Sequence, residues 1–145
     1  MLIRIAAALL LTSAVIVYAH TNEYLDTIDG MHGGQLRMSG PYHFELVAAP
    51  GDLVVFVTDH ADNPISTANG KASALVNTVG KKVHVPLLPA GDNSFRGHAG
   101  FTLDERSTVH LKVTILNASP ELAIFQPMRK RKKKPEAHQE HHEHH

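Results

Sequence analysis

Residues 42–59 read Tyr42-His43-Phe44-Glu45-Leu46-Val47-Ala48-Ala49-Pro50-Gly51-Asp52-Leu53-Val54-Val55-Phe56-Val57-Thr58-Asp59. In the first half, Phe44, Leu46 and Ala48 alternate with His43, Glu45 and Val47. In the second, Leu53, Val55 and Val57 alternate with Val54, Phe56 and Thr58. A period of two is that of a half-buried β-strand, and Pro50-Gly51 between the two runs is turn chemistry. The stretch therefore predicts two antiparallel strands joined by a short turn.

The same pattern recurs outward from this pair. Val83, Val85 and Leu87 form one further run, and Val109, Leu111, Val113 and Ile115 another. Asp62-Asn63-Pro64, Asn69-Gly70 and Pro89-Ala90-Gly91-Asp92-Asn93 are breaks, and weaker strands are expected within 65–79 and 94–103. No convincing helix follows the first 19 residues. The expectation is an all-β domain, a small antiparallel sandwich or barrel of about six or seven strands.

The chain divides into three parts. Residues 1–19 open with Arg4, continue through an apolar run from Ile5, and close on Val17-Tyr18-Ala19. This is the pattern of a cleaved secretory signal, and Thr12-Ser13 breaks the run before it reaches the roughly 20 apolar residues of a membrane span. Residues 20–128 form the β-domain. Residues 129–145 hold six consecutive basic residues and then a His, Glu and Gln stretch with no apolar periodicity, which predicts disorder. The whole chain balances 14 basic against 14 acidic residues, but 20–128 carries a net charge of −4 and the tail +3.

Cysteine is absent, which excludes disulfides, iron–sulfur clusters, thiolate zinc sites and a Cys nucleophile. A cysteine-free exported chain points to the bacterial periplasm. No nucleophile elbow, P-loop, dinucleotide fingerprint or HExxH occurs, so no enzyme is expected. The basic run has the chemistry to meet phosphates. In the periplasm that favours an anionic membrane surface or an acidic patch on a pump subunit over nucleic acid.

Histidine is the anomaly. There are 12, where ordinary composition would give about three. His138, His141, His142, His144 and His145 crowd the end of the tail among Glu136, Glu140 and Glu143. Neutral imidazole suits Cu, Zn, Ni and Co, and a tail of this kind would bind them broadly and with little selectivity. His20 would become the mature N-terminus after cleavage at Ala19. Its α-amine and imidazole could then chelate one ion, with a second imidazole from the body completing a site suited to Cu(II). His32 lies in Gly30-Met31-His32-Gly33-Gly34, His43 opens the first strand, and His60 ends the second. Start and end of adjacent antiparallel strands are neighbours, so His43 and His60 are expected side by side. His32 is expected to converge on them, with Glu45 and Asp59 as ligands or orienting carboxylates. His98, bracketed by Gly97 and Gly100, is a further candidate ligand. His84 and His110 are expected to face solvent.

The strings His32-Gly33-Gly34-Gln35, Gly40-Pro41-Tyr42-His43-Phe44-Glu45-Leu46-Val47 and Val57-Thr58-Asp59-His60-Ala61-Asp62 resemble a small periplasmic β-domain of bacterial heavy-metal resistance systems. Leu88-Pro89-Ala90-Gly91-Asp92-Asn93 and Gly97-His98-Ala99-Gly100-Phe101 fit the same pattern. That domain occurs as short stand-alone proteins and as a module of some periplasmic adaptor subunits of cation-efflux pumps. The resemblance spans roughly Met31 to Ile115 and leaves the tail outside. It implies a periplasmic transition-metal-binding protein with His32, His43 and His60 as its functional set, which sequesters or delivers the ion. The alternative it allows is a docking module for an efflux-pump adaptor.

Overall fold

A computed structural model describes residues 21–131; residues 1–20 and the tail from 132 onward, with His20 and the five tail histidines, lie outside the described residues. After a single helical turn, α1 (Asn22–Leu25), come eight strands: β1 (Gln35–Ser39), β2 (Tyr42–Ala49), β3 (Asp52–Asp59), β4 (Lys71–Thr78), β5 (Lys81–Pro89), β6 (Ser94–His98), β7 (Thr108–Thr114) and β8 (Glu121–Phe125). All pairings are antiparallel, in the order β1-β2-β3-β6-β5-β4-β7-β8.

The fold class is the one the alternation predicts, an all-β sheet curled into a nearly closed barrel. β2 and β3 pair antiparallel across the Pro50-Gly51 turn as expected, with His43 opposite Thr58 and Ala49 opposite Asp52. Gly51 makes the turn at φ +72°, a left-handed angle that side chains resist and glycine adopts freely. The expected runs at 83–87 and 109–115 are β5 and β7, and the weaker ones are β4 and β6. The structure adds β1 and β8, giving eight strands rather than six or seven, and the turn α1.

Inward positions of every long strand fill one core. Phe44, Leu46, Leu53, Val55, Val57, Val76, Val85, Phe95, Val109, Leu111 and Phe125 are all buried in it. β5 bends to reach both neighbours, pairing with β4 through Leu87 and with β6 through Leu88 and Pro89. At that bend a Cβ on Gly97 would run into the Pro86 carbonyl, so the close approach of the strands requires glycine.

The last gap, between β1 and β8, is closed by side chains. Ser39 Oγ–H donates to Glu121 Oε2 (2.7 Å), Arg37 Nε–H to the Ile124 carbonyl (2.9 Å), and the Gln126 N–H to Gln35 Oε1 (2.8 Å). Asp26, just after α1, accepts from Arg37 Nη1 (2.6 Å) and so fastens the N-terminal segment to this seam.

Candidate functional site

The N-terminal segment lies against the outer face of β1–β3. Thr21 caps α1 by accepting from the Tyr24 N–H (3.3 Å), and Asn22 Oδ1 accepts from the Met38 N–H of β1 (3.2 Å). Leu25 is buried. The chain then folds through Gly30–Gly34, where Gly33 N–H donates to the Gly30 carbonyl (3.0 Å) at φ +74°. This cover buries β2 on both faces: Phe44 and Leu46 toward the core, His43 and Glu45 on the outside at 5% and 6% exposure.

Glu45 organises one half of the site. Its Oε1 accepts from the His32 N–H (2.7 Å) and the Gly34 N–H (2.9 Å), and its Oε2 from His32 Nδ1 (2.9 Å). A carboxylate only accepts, so His32 Nδ1 carries the proton. The His32 ring stacks on Phe56, the cross-strand neighbour of Glu45, with centroids 3.6 Å apart and planes 4° from parallel. His32 is thereby fixed by backbone, carboxylate and ring at once.

His43 and His60 form the other half. Their ring centroids are 4.9 Å apart with planes 19° from parallel. His60 Nε2–H donates to the Gly40 carbonyl (3.1 Å), which leaves Nδ1 of the neutral ring as its lone-pair nitrogen. His43 Nδ1 faces Asp62 Oδ1 at 3.6 Å. The loop that carries His60 and Asp62 is built by Asp59. Its Oδ1 accepts from the Ala61 and Asn63 N–H groups (2.8 and 2.9 Å) and its Oδ2 from Asn63 Nδ2 (3.0 Å). The Asn63 side chain, then these backbone donors, hold the Asp59 carboxyl below the usual aspartate range.

A cavity of about 580 Å³ runs from His32 and Glu45 to His43 and Asp62, and His60 lies outside its lining. Tyr24, Leu25, Leu36 and Phe56 give it apolar walls, and His32, His43, Glu45 and Asp62 its polar groups. His43 and Glu45 are two residues apart on one strand face, a spacing of about 6.6 Å. Arg131 donates to the Gly33 carbonyl (3.0 Å) and pairs with Asp29, so the chain leaving the barrel is tied to the loop that carries His32.

The expected neighbours His43 and His60 are thus adjacent, and His32 shares a cavity with His43, not with His60, and is engaged by Glu45. Asp59 orients the His60 loop. His98 is elsewhere: it pairs with Asp52 (3.1 Å), which also holds Arg96, at the opposite end of β3, about 23 Å along the strand from Asp59. His84 and His110 are exposed on either side of Leu75, as expected. Among the described residues, no group of three His, Asp or Glu side chains is arranged to hold a metal ion.

Asp62, the Gly40 carbonyl and the cover from α1 were not singled out from sequence. Only the cover had a usable signal, the Tyr24, Leu25, Ile28 spacing of a helical apolar face. Compared with family models, curated proteins and solved structures, the chain matches none.

Proposed function

We propose that the protein is an exported, periplasmic transition-metal-binding protein that sequesters or hands on an ion of the Cu, Zn, Ni, Co group in heavy-metal resistance, without enzymatic activity. The observation that carries this reading is the His43–His60 pair, with ring centroids 4.9 Å apart and Nε2 of His60 held by the Gly40 carbonyl. Metal-binding imidazoles characteristically donate their other N–H to a carbonyl or carboxylate, which fixes the tautomer and the ring direction. The donors offered are the two imidazoles, and imidazole nitrogen suits borderline divalent ions. The resemblance to metal-resistance β-domains supports the same reading. The five tail histidines add weaker, multi-equivalent binding.

The test is titration of the mature protein with Cu(II) and Zn(II). His43→Ala and His60→Ala should each weaken the tightest equivalent at least tenfold, while His84→Ala and His110→Ala leave it unchanged. Equal affinity in all four variants would overturn the reading in favour of a docking module.

A further inference from the structure

The barrel and its cover pack differently. Inside the barrel, Phe44, Leu53, Val55, Val57 and Phe95 are fully buried in one cluster. Between the N-terminal cover and the outer face of β1–β3 lies the cavity of about 580 Å³, although protein interiors hold few voids larger than a water molecule. Leu25 and Ile28 from the cover, Leu36 from β1 and Phe56 from β3 give it apolar walls. Leu25 is buried, while Ile28, Leu36 and Phe56 keep part of their surface open. Apolar walls with a few polar groups, around a volume of about 300–1,000 Å³, are the anatomy of a small-molecule site.

The charged groups of the lining carry one sign. Asp29, Glu45 and Asp62 line the cavity, and no Lys or Arg does. Two of these carboxylates are engaged: Arg131 pairs with Asp29, and Glu45 accepts from the His32 and Gly34 N–H groups and from His32 Nδ1. Asp62 is different. Its backbone holds a left-handed φ of +61°, and its side chain is 77% exposed, which puts it at the mouth. The group facing it is His43 Nδ1 at 3.6 Å, beyond hydrogen-bond length, and no Lys or Arg pairs with it among the described residues. His32 supplies a second acceptor. With Nδ1–H given to Glu45, Nε2 of the neutral ring carries the lone pair, and the ring is held flat on Phe56.

We infer that this cavity is a binding site for a small organic cation, a primary amine on a flat aromatic body. The body lies along Leu25, Leu36 and Phe56, and the ammonium donates to Asp62 at the mouth, with His32 Nε2 as a further acceptor. Charge selects the class. A neutral congener gives up the charge-assisted hydrogen bond to Asp62. An anionic one brings its charge against Asp62 and Glu45, with no cation in the lining to receive it. The site goes beyond the metal-binding reading and does not rest on it, since His60 lies outside the lining and the amine needs no ion.

The experiment uses the full chain, kept free of metal with EDTA. 1-Naphthylmethylamine, 1-naphthalenemethanol and 1-naphthoate are titrated by calorimetry, and the amine also by heteronuclear NMR. The expected result is one equivalent of amine, with the alcohol about tenfold weaker, the scale that separates a charged from a neutral hydrogen bond, and the naphthoate weaker still. Amide shifts should concentrate at Leu25, Leu36, Phe56 and Asp62. Asp62→Asn should bring the amine down to the affinity of the alcohol. Glu105→Gln, the same charge change at an exposed site outside this cavity, should leave it unchanged. Leu36→Trp fills the cavity and should remove binding of amine and alcohol alike; circular dichroism checks that this variant keeps the barrel, and if it does not, the Asp62→Asn comparison and the shift map decide. Absence of amine binding at millimolar concentration overturns the proposal. So does equal affinity for the three probes, which marks an unselective apolar surface. Amine binding that Glu105→Gln weakens as much as Asp62→Asn, or shifts that fall away from the cavity, mark a general attraction to the acidic domain and overturn it as well. Each of these outcomes leaves the His43–His60 pair to its own titration with Cu(II) and Zn(II).

Discussion

On β5, β4 and β7 the outward row His84, Leu75, His110 alternates with buried core residues, and both histidines stand in solvent. On β2 the outward residues His43 and Glu45 occupy the same kind of position in the strand, yet both are buried. The strands do not differ in their pleat; they differ in what lies over them. α1 and the Gly30–Gly34 loop cover β2, and nothing among the described residues covers β7. Under a cover, each polar group must find a partner, because an unpaired one loses its water without recompense. That is why Glu45 gathers three donors, while His110 makes one side-chain hydrogen bond among the described residues, to Thr108 (3.2 Å).

The contrast breaks most visibly at Glu45. Glu45→Ala leaves the His32 and Gly34 N–H groups without their acceptor and frees the loop that the carboxylate holds. Charge-assisted hydrogen bonds and orphaned donors of this kind are worth about 3 kcal/mol together. The urea midpoint should fall accordingly at unchanged slope. His84→Ala and His110→Ala on the bare face should each stay within about 0.5 kcal/mol of the parent. A Glu45→Ala loss as small as theirs would mean that the cover is not seated on β2.

A second difference separates the strand pairs from the seam. β2–β3 and β4–β7 are joined by backbone ladders, whereas β1 and β8 meet through Ser39, Arg37 and Gln35. Arg37 is the central member, with its side chain 11% exposed and bonded to both Asp26 and the Ile124 carbonyl. Arg37→Ala should cost about 2 kcal/mol, the scale of a partly buried charged hydrogen bond. The sharper signature is local: amide exchange should accelerate in β1 and β8 while β3 and β4 keep their protection. Uniform acceleration across the barrel would show that the seam opens only with the whole fold.

The same two comparisons explain what could be read from sequence. β2, β3, β5 and β7 are visible because a two-residue period is imposed by one wet and one dry face, and the Pro50-Gly51 turn fixes the register that brings His43 to His60. β1 is invisible: all five of its residues are half-buried, and Gln35, Arg37 and Ser39 serve the seam, so no alternation survives. In β8 the outward Leu122 and Ile124 are apolar like the inward Ala123 and Phe125, which erases the contrast. His43 reads as a strand opener beside a turn, and its burial depends on a segment more than a dozen residues earlier in the chain. His32 reads as a ligand because glycines surround it, and those glycines instead let the loop close on Glu45, whose side chain a Cβ at Gly30 would overlap.

The smallest effect lies at the rim, where cover gives way to solvent. Asp59 is half-buried at the end of β3, and its carboxyl sits below the usual aspartate range, held there first by the Asn63 side chain and then by the Asn63 and Ala61 backbone donors. A carboxyl whose folded value is depressed lends stability that is present above its unfolded value and is lost as pH falls through the folded one. The 59–63 loop, and with it His60 and Asp62, should therefore hold its geometry through the neutral range and loosen only in strong acid. Titration of side-chain carboxyl carbons by NMR should place the Asp59 midpoint below that of an aspartate in an unstructured peptide. Amide exchange at Ala61 and Asn63, corrected for its intrinsic pH dependence, should rise as that midpoint is passed. Asp59→Asn removes the titrating group, so the acid-dependent rise should vanish while global stability changes little, because solvent still reaches and screens a half-buried carboxylate at the rim. An ordinary midpoint for Asp59 would mean that the loop is not held by its carboxylate, and the placement of His60 beside His43 would then rest on the backbone bonds between Asp59, Asp62 and Asn63 and on the Gly40 hydrogen bond.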